Sequence, residues 1–281
     1  MRGIFRKNPT KAAGGILASG TPGTLIPAGQ TATHASGFVV VSTTGALLGE
    51  DGIAAVAVQA QNAGAMHSYS DEPVVFNSPP SGVNADALLN LRGGTNRETN
   101  AELLARLLFR MQHPPGGGNK YDYENWALSV DGVKTAICLP NRRGLGTVDV
   151  LVTSGLTIPT AAVLAAVQAL LDEQRPVACK DVLALAPVEI LVNTSSLVAL
   201  NYGTLAELYA EALSAQQSLF AALAPGQALI IAGLNAAMMS LARVRDCRVT
   251  EPAANVEPGD IGWARLGEVT LLPMPEESNV L

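Results

Sequence analysis

The hydrophobic pattern changes its period near Thr95, and this change constrains the fold of the 281-residue chain more than any other feature. Before it, residues 16–92 contain short runs of Thr, Val and Ile between turn residues such as Thr21-Pro22-Gly23. Phe38–Ser42 and Ile53–Gln59 are short enough to be strands of a small sandwich or barrel. The sequence therefore predicts a β-rich domain over residues 16–92.

After the change, the sequence predicts a helical connector over residues 93–132. Thr95 and Glu98 fit a capping box at the start of a helix. Four apolar side chains then recur at helical spacing, with Arg106 and Arg110 off their face. These four are Leu104, Leu107, Leu108 and Met111. We expect this face to be buried.

A break and a second helix follow in the connector. His113-Pro114-Pro115 ends the first helix, because proline cannot continue one, and Gly116-Gly117-Gly118 allows a sharp turn. A short helix from Asp122 carries apolar residues at i, i+3, i+4 and i+7, and Asp131-Gly132 ends it. Those residues are Tyr123, Trp126, Ala127 and Val130. The proline–glycine break is predicted to set the angle between the β-rich domain and the rest of the chain.

From Val133 onward the pattern alternates strands and helices. Val133–Leu139 and Thr147–Thr153 predict a hairpin, and Thr160–Gln174 predicts a helix. The remaining predicted elements are strands Val177–Ala186 and Val188–Thr194, helices Thr204–Leu223 and Ile230–Leu241, and strands Val244–Thr250 and Glu268–Leu272. Lys180-Asp181…Pro187 and Arg245-Asp246…Pro252 carry charge, Asp and Pro at matching offsets, which leaves open whether the two halves of this region are duplicated.

The predicted fold class is α+β and multidomain. It has an extension (1–15), the β-rich domain (16–92), the helical connector (93–132), an α+β unit (133–198) and a second α+β unit (199–281), with duplication of the two α+β units left open. We expect the core to include Leu104, Leu107, Leu108, Trp126, Val130, Val150, Val167 and Leu170.

Composition excludes several partners and favours subunit contacts. Charged residues make up only 15 % of the chain, below the roughly 25 % usual for soluble domains, so part of the surface is expected to be covered by other subunits. A net charge of −6 argues against nucleic acid as a partner. No run approaches the ~20 apolar residues of a membrane span, and Ala12–Ala18 is too short and glycine-rich for a signal peptide.

No set of residues in the sequence has the spacing of a catalytic, cofactor or metal site. The histidines His34, His67 and His113 are far apart and are expected to be surface or loop residues, and no CxxC pair is present. Pro115–Lys120 lacks the GxxxxGK[ST] order of a phosphate loop, and Ser81 and Ser154 lie in no GxSxG elbow. We therefore predict no catalytic residue, no cofactor and no metal, and a chain that is not an enzyme.

The order of motifs from Gly93 to Val152 resembles the baseplate J-like protein family of contractile phage tails and related injection machines. Gly20–Gly29 is similar to the start of that family's β domain, and Glu173–Val177 also fits its pattern. The chain departs from the family in two places. Only about fifteen residues precede the β domain, as in a shortened or truncated relative, and Ala65–Ser68 lacks the Gly/Asn-rich pattern usual in the family's β domain. The signature and hinge residues carried by the resemblance are Gly93, Gly94, Arg106, Pro114, Pro115, Gly116, Gly117, Gly118, Tyr123, Trp126, Gly132 and Gly146.

The resemblance implies a structural subunit of a baseplate wedge, located in the virion and assembled in the host cytoplasm. It implies homo-oligomeric pairs within each wedge, a ring of wedges, and contacts with other wedge, hub and sheath-initiator proteins, without nucleic acid or membrane. Two alternatives stay open from the residues: a receptor-binding or fibre-attachment module built on the β domain, and a small α+β enzyme formed by residues 133–281.

Overall fold

The computed structural model describes residues 5–65 and 69–275. The chain divides into two compact units, Met1–Ala186 and Pro187–Leu281. The mixture of helices and sheets confirms the α+β class.

The first part of the chain forms a closed barrel of antiparallel strands. The first eight strands are β1 (Thr10–Ser19), β2 (Leu25–Ile26), β3 (Thr31–His34), β4 (Val39–Ser42), β5 (Ala46–Leu47), β6 (Ile53–Ala60), β7 (Tyr69–Phe76) and β8 (Asp86–Thr95). The barrel order is β1-β6-β4-β3-β7-β8, with β8 pairing back to β1, while β2 and β5 form a separate pair. Alternate residues of β6 (Ala54, Val56 and Val58) point inward, as the period of two requires.

A small α+β part completes the first unit. Its elements are α1 (Asn100–Gln112), α2 (Lys120–Leu128), β9 (Thr135–Pro140), β10 (Thr147–Thr153), α3 (Ala161–Gln174) and β11 (Asp181–Leu185). β9 and β10 form the predicted antiparallel hairpin, and α3 connects β10 to the parallel strand β11. Val150, Val167 and Leu171 lie in a core shared by α2, α3 and this sheet.

The second unit is a three-stranded sheet with two helices packed against it. Its elements are β12 (Val188–Leu200), α4 (Leu205–Ala222), α5 (Ile231–Met239), β13 (Val244–Glu251) and β14 (Gly262–Pro273). The central strand β12 is antiparallel to β13 and parallel to β14. β12 runs past the predicted end at Thr194, because Ser196 and Val198 stay buried and paired with both neighbours.

The start of the first helix differs from the prediction. Thr95 is the last residue of β8 and pairs with Thr10, so it cannot cap a helix. The capping box is formed one repeat later by Thr99 and Glu102. The segment TNRETNAE contains the T-x-x-E pattern twice, and pairing between β8 and β1 decides which copy is used. The second helix likewise begins earlier than predicted, with Asn119 as its cap and Asp122 inside its first turn.

Candidate assembly site

The apolar stripe of α1 faces solvent, and the expectation that it is buried is wrong. None of the thirteen residues of α1, all of them within the described chain, is buried. Leu104, Leu107, Leu108 and Met111 are 54, 40, 46 and 69 % exposed. These positions form one continuous face of a helix. The capping box shows that α1 is a well-formed helix, so the exposed stripe is a fixed surface.

The polar side of α1 holds the helix to the protein through Glu98. Arg106 donates from Nε and Nη2 to the two carboxylate oxygens of Glu98, both at 2.8 Å. The backbone N–H of Lys7 donates to the same carboxylate at 3.0 Å. The Glu98 side chain is only 4 % exposed. A two-pronged arginine contact of this kind fixes orientation as well as distance.

This cluster lowers the pKa of both Glu98 and Lys7, which favours the charged form of Glu98 and the neutral form of Lys7. The hydrogen bonds from Arg106 lower the pKa of Glu98 to about 2, so the carboxylate stays ionised. Burial, reinforced by the charge of Arg106, lowers the pKa of Lys7 to about 8. The Lys7 ammonium donates to the carbonyl oxygen of Val133, which ties the segment before β1 to the start of the hairpin region.

The loop formed by Pro114–Asn119 closes around one carboxylate. The backbone N–H groups of Gly116, Gly118 and Asn119 donate to Asp122 at 3.0, 2.7 and 3.1 Å. The Asp122 side chain is buried, so its charge is satisfied by main-chain dipoles. This bonding makes the turn a fixed structure.

The predicted hinge glycines Gly117 and Gly118 differ in the space available for a side chain. Gly118 has a φ of +122°, and an added Cβ would lie 2.3 Å from Cγ of Pro176. Gly117 also has a positive φ, of +80°, but nothing lies near the Cβ position. Gly118 therefore packs closely against Pro176, which lies two residues after the end of α3, whereas Gly117 faces open space. The hinge role itself stays a prediction.

Three other signature glycines lie where chain segments approach closely. An added Cβ at Gly93 would lie 2.6 Å from the methyl carbon of Thr160, the N-cap of α3. At Gly132 it would lie 2.8 Å from a methyl carbon of Val163. At Gly94 it would lie 2.5 Å from the carbonyl oxygen of Gly64. All three glycines have positive φ, so both backbone angle and space favour glycine there.

The aromatic signature residues pack in the first unit. Tyr123 is buried, and its ring meets that of Trp126 edge-on at a centroid distance of 5.0 Å. Burial and a hydrogen bond with Cys179 raise the pKa of Tyr123. Trp126, like Val130, is only half-buried. Gly146, with a φ of +79°, donates its N–H to the side chain of Asn141 in the turn between β9 and β10.

The described histidines are held by aromatic neighbours. His34 ends strand β3, which corrects the loop expectation, and it stacks on Phe38 at 4.7 Å. His113 is the C-cap of α1 and stacks on Tyr121 at 3.8 Å. His67 lies outside the described residues. Across residues 5–65 and 69–275, no group of three or more His, Cys, Asp or Glu side chains could hold a metal ion.

A third buried carboxylate, that of Asp149, was missed in the sequence. Asp149 of β10 is fully buried and accepts from Nε of Arg142 and Nε of Arg143, each at 2.6 Å. Arg143 also pairs with Asp181 of β11. The available signal was an acid within the apolar strand TVDVLVT, preceded by two adjacent arginines. Together these groups fix the loop between β9 and β10.

The described residues also contain no helix long and apolar enough to cross a membrane.

Comparisons with known proteins give the family. The profile of the Baseplate J-like barrel domain matches residues 16–94, that of the central domain residues 115–186, and that of the C-terminal domain residues 198–272. The chain is 36 % identical over 151 residues to baseplate protein gp47 of Escherichia phage Mu, covering 53 % of this chain and 42 % of that protein.

Another relative and one solved structure cover more of the chain. The Mu-like prophage FluMu protein gp47 of Haemophilus influenzae is 28 % identical over 286 residues, covering 96 % of this chain and 79 % of that protein. A chain in a structure of the anti-feeding prophage baseplate matches with a TM-score of 0.46 and 13 % identity, covering 95 % of this chain and 78 % of that one. Since three successive family domains match along most of its length, the chain belongs to the Baseplate J-like protein family.

Proposed function

We propose that this chain is a structural subunit of the tail baseplate of a phage or of a phage-like injection machine. It acts through protein–protein interfaces and catalyses no reaction. Membership of the Baseplate J-like family and the names of the two gp47 relatives support this proposal.

The single observation that carries an interface role is the exposed stripe of α1. A helix in a chain that works alone turns its apolar face to its own core. Here Leu104, Leu107, Leu108 and Met111 face outward while the polar side is anchored by Glu98. A fixed apolar surface of this kind fits a site that another subunit covers.

The finer part of the proposal concerns position and partners. The subunit would belong to the wedge, pair with a second copy there, join wedges into a ring, and contact other wedge, hub and sheath-initiator proteins. It would be assembled in the host cytoplasm and reside in the virion, without nucleic acid or membrane as a partner. Ring closure requires one fixed angle at each contact, which rigid joints such as the Glu98 cluster would supply.

The division into a β-rich domain (16–92), a helical connector (93–132) and two α+β units (133–198 and 199–281) is part of the same proposal, with two boundaries moved. Strand β8 ends at Thr95, which becomes the proposed end of the first domain, and Pro187, just before β12, becomes the proposed start of the last unit. The possible duplication of the two α+β units stays a prediction. Both sheets have three strands, with one parallel and one antiparallel neighbour beside the central strand. The order along the chain differs: the central strand β10 is the second strand of its sheet in sequence, whereas the central strand β12 is the first of its sheet.

Co-expression with neighbouring baseplate genes tests the proposal. The Leu104→Gln/Leu108→Gln variant should fold normally, because both side chains are exposed, yet it should lose co-purification with its partners. Leu17→Gln/Leu88→Gln is the matched control, since these barrel leucines are 44 and 40 % exposed. Undiminished co-purification of the α1 variant would exclude this stripe as an assembly surface. A receptor-binding module would instead bind host cells as the isolated chain.

A further inference from the structure

A second surface of the first unit has the properties of a binding cavity. It is an open cavity of about 560 Å³ between the segment before β1, helix α1, helix α2 and helix α3. Arg106 and Arg110 of α1 line it, and both lie off the apolar stripe of that helix. The cavity is therefore a different surface from the stripe.

The cavity is positively charged in a chain whose net charge is −6. Its cationic lining groups are Arg6, Lys7, Arg106 and Arg110. Glu98, which is not in the lining, neutralises Arg106. Arg6 donates to the neutral side chain of Asn100, and Arg110 forms no ion pair with any described residue.

Two carboxylates in the same wall do not cancel this charge. Asp122 is directed into the Pro114–Asn119 loop, where three backbone N–H groups bind it. Asp131 is exposed and offsets one of the cations. Arg6, Lys7 and Arg110 against Asp131 leave an excess of positive charge. Arg6 and Arg110 form no ion pair with any described residue, so their charges remain for an anionic group.

The remaining lining favours a peptide over a small anion. Trp126 and Leu170 give the cavity an apolar wall, and the side chains of Asn125 and Gln174 can donate to and accept from a peptide main chain. A cavity of about 560 Å³ is in the range of sites that enclose an extended ligand of several groups. A phosphate or acetate ion would contact the arginines but leave Trp126 and Leu170 exposed to water.

We propose that this cavity binds an extended acidic peptide segment with at least one apolar side chain, supplied by another protein. Its carboxylates would pair with Arg6 and Arg110, and its apolar side chain would pack on Trp126 and Leu170. The inference rests on the proposed function only in that the segment would come from a neighbouring baseplate subunit.

Calorimetric titration of the full chain with two synthetic peptides tests this inference. The probe is acetyl-Glu-Glu-Leu-Glu-Glu-Leu-amide, and the control is the same peptide with glutamine in place of glutamate. We expect binding of the glutamate peptide alone, weakening as NaCl increases because exposed charges are screened. Arg6→Gln/Arg110→Gln should weaken binding at least tenfold. Arg92→Gln/Arg248→Gln removes the same charge from exposed sites outside the cavity and should bind like the unaltered chain.

Each other outcome overturns the inference. These outcomes are no binding, equal binding of both peptides, or equal weakening by the two double variants. If the chain co-purifies with baseplate partners but does not bind the glutamate peptide, the inference is refuted and the proposed function is supported. A chain that binds the peptide but no baseplate partner refutes the proposed function instead.

Discussion

Glu98→Gln tests whether the anchoring of α1 rests on a buried charge. The variant keeps the shape of the side chain but leaves Arg106 and Lys7 without their shared anion. Removing one partner of a fully buried ion pair costs about 3–5 kcal/mol. Because Arg106 keeps 14 % exposure and water reaches part of the pair, we expect a loss of about 2–3 kcal/mol in the free energy of unfolding at pH 7.

The pH dependence of this loss has a definite sign. The pKa of Glu98 is lowered from an ordinary 4.5 to about 2, so its contribution is fully present above about pH 4.5 and is lost as the pH falls through 2. The difference in free energy of unfolding between the unaltered chain and the variant should therefore be constant from pH 5 to 7 and decrease toward pH 2. Lys7 has a pKa of about 8, so the difference in free energy of unfolding should also narrow as the pH rises through 8 and the Lys7 ammonium loses its proton, which ends its attraction to Glu98.

Urea unfolding followed by hydrogen exchange in peptides from residues 96–140 measures this loss. This readout follows the unit that contains Glu98 separately from residues 187–275. Glu72→Gln is the control, because Glu72 is exposed and should change stability by less than about 0.5 kcal/mol. A Glu98→Gln effect as small as that of the control, or one that does not shrink in acid, would refute the reasoning.

Three further predictions follow from the packing. Gly118→Ala should destabilise the first unit by about 2–3 kcal/mol, because Gly118 has a positive φ and its Cβ position lies against Pro176. Gly117→Ala should cost only about 1 kcal/mol, because the space around Gly117 is open. Equal melting temperatures of the two variants would contradict this prediction. Leu171→Ala should cost about 2–5 kcal/mol because the side chain is fully buried, while the exposed Leu108→Ala should cost less than about 0.5 kcal/mol in urea unfolding. Replacing His34, His67 and His113 together with Asn should leave co-purification with baseplate partners intact, and its loss in a folded chain would restore a role for histidine.

The sequence determined the local elements of this chain. The short run Ile53–Gln59 specifies a strand through its Ile and Val content and the turn residues before it, whereas which of its two faces is buried was decided by the barrel. The T-x-x-E pattern near residue 100 specifies a helix start, and prolines and glycines at 114–118 specify the break. Order and spacing of these signals were sufficient for the family resemblance, which the matched domains confirmed.

The tertiary structure decided which of these signals are used and what surrounds them. Thr95 and Thr99 have equal local claims to cap α1, and only the pairing of Thr95 with Thr10 in the barrel selects Thr99. Periodicity placed Leu104 and Leu108 on one face of α1, but a period carries no information on whether that face meets its own chain or another. Likewise, Glu98 lies eight residues before its partner Arg106, but only the pairing of β1 with β8 brings Lys7, 91 positions away, to the same carboxylate. Such long-range contacts depend on the whole fold, so a local pattern does not reveal them.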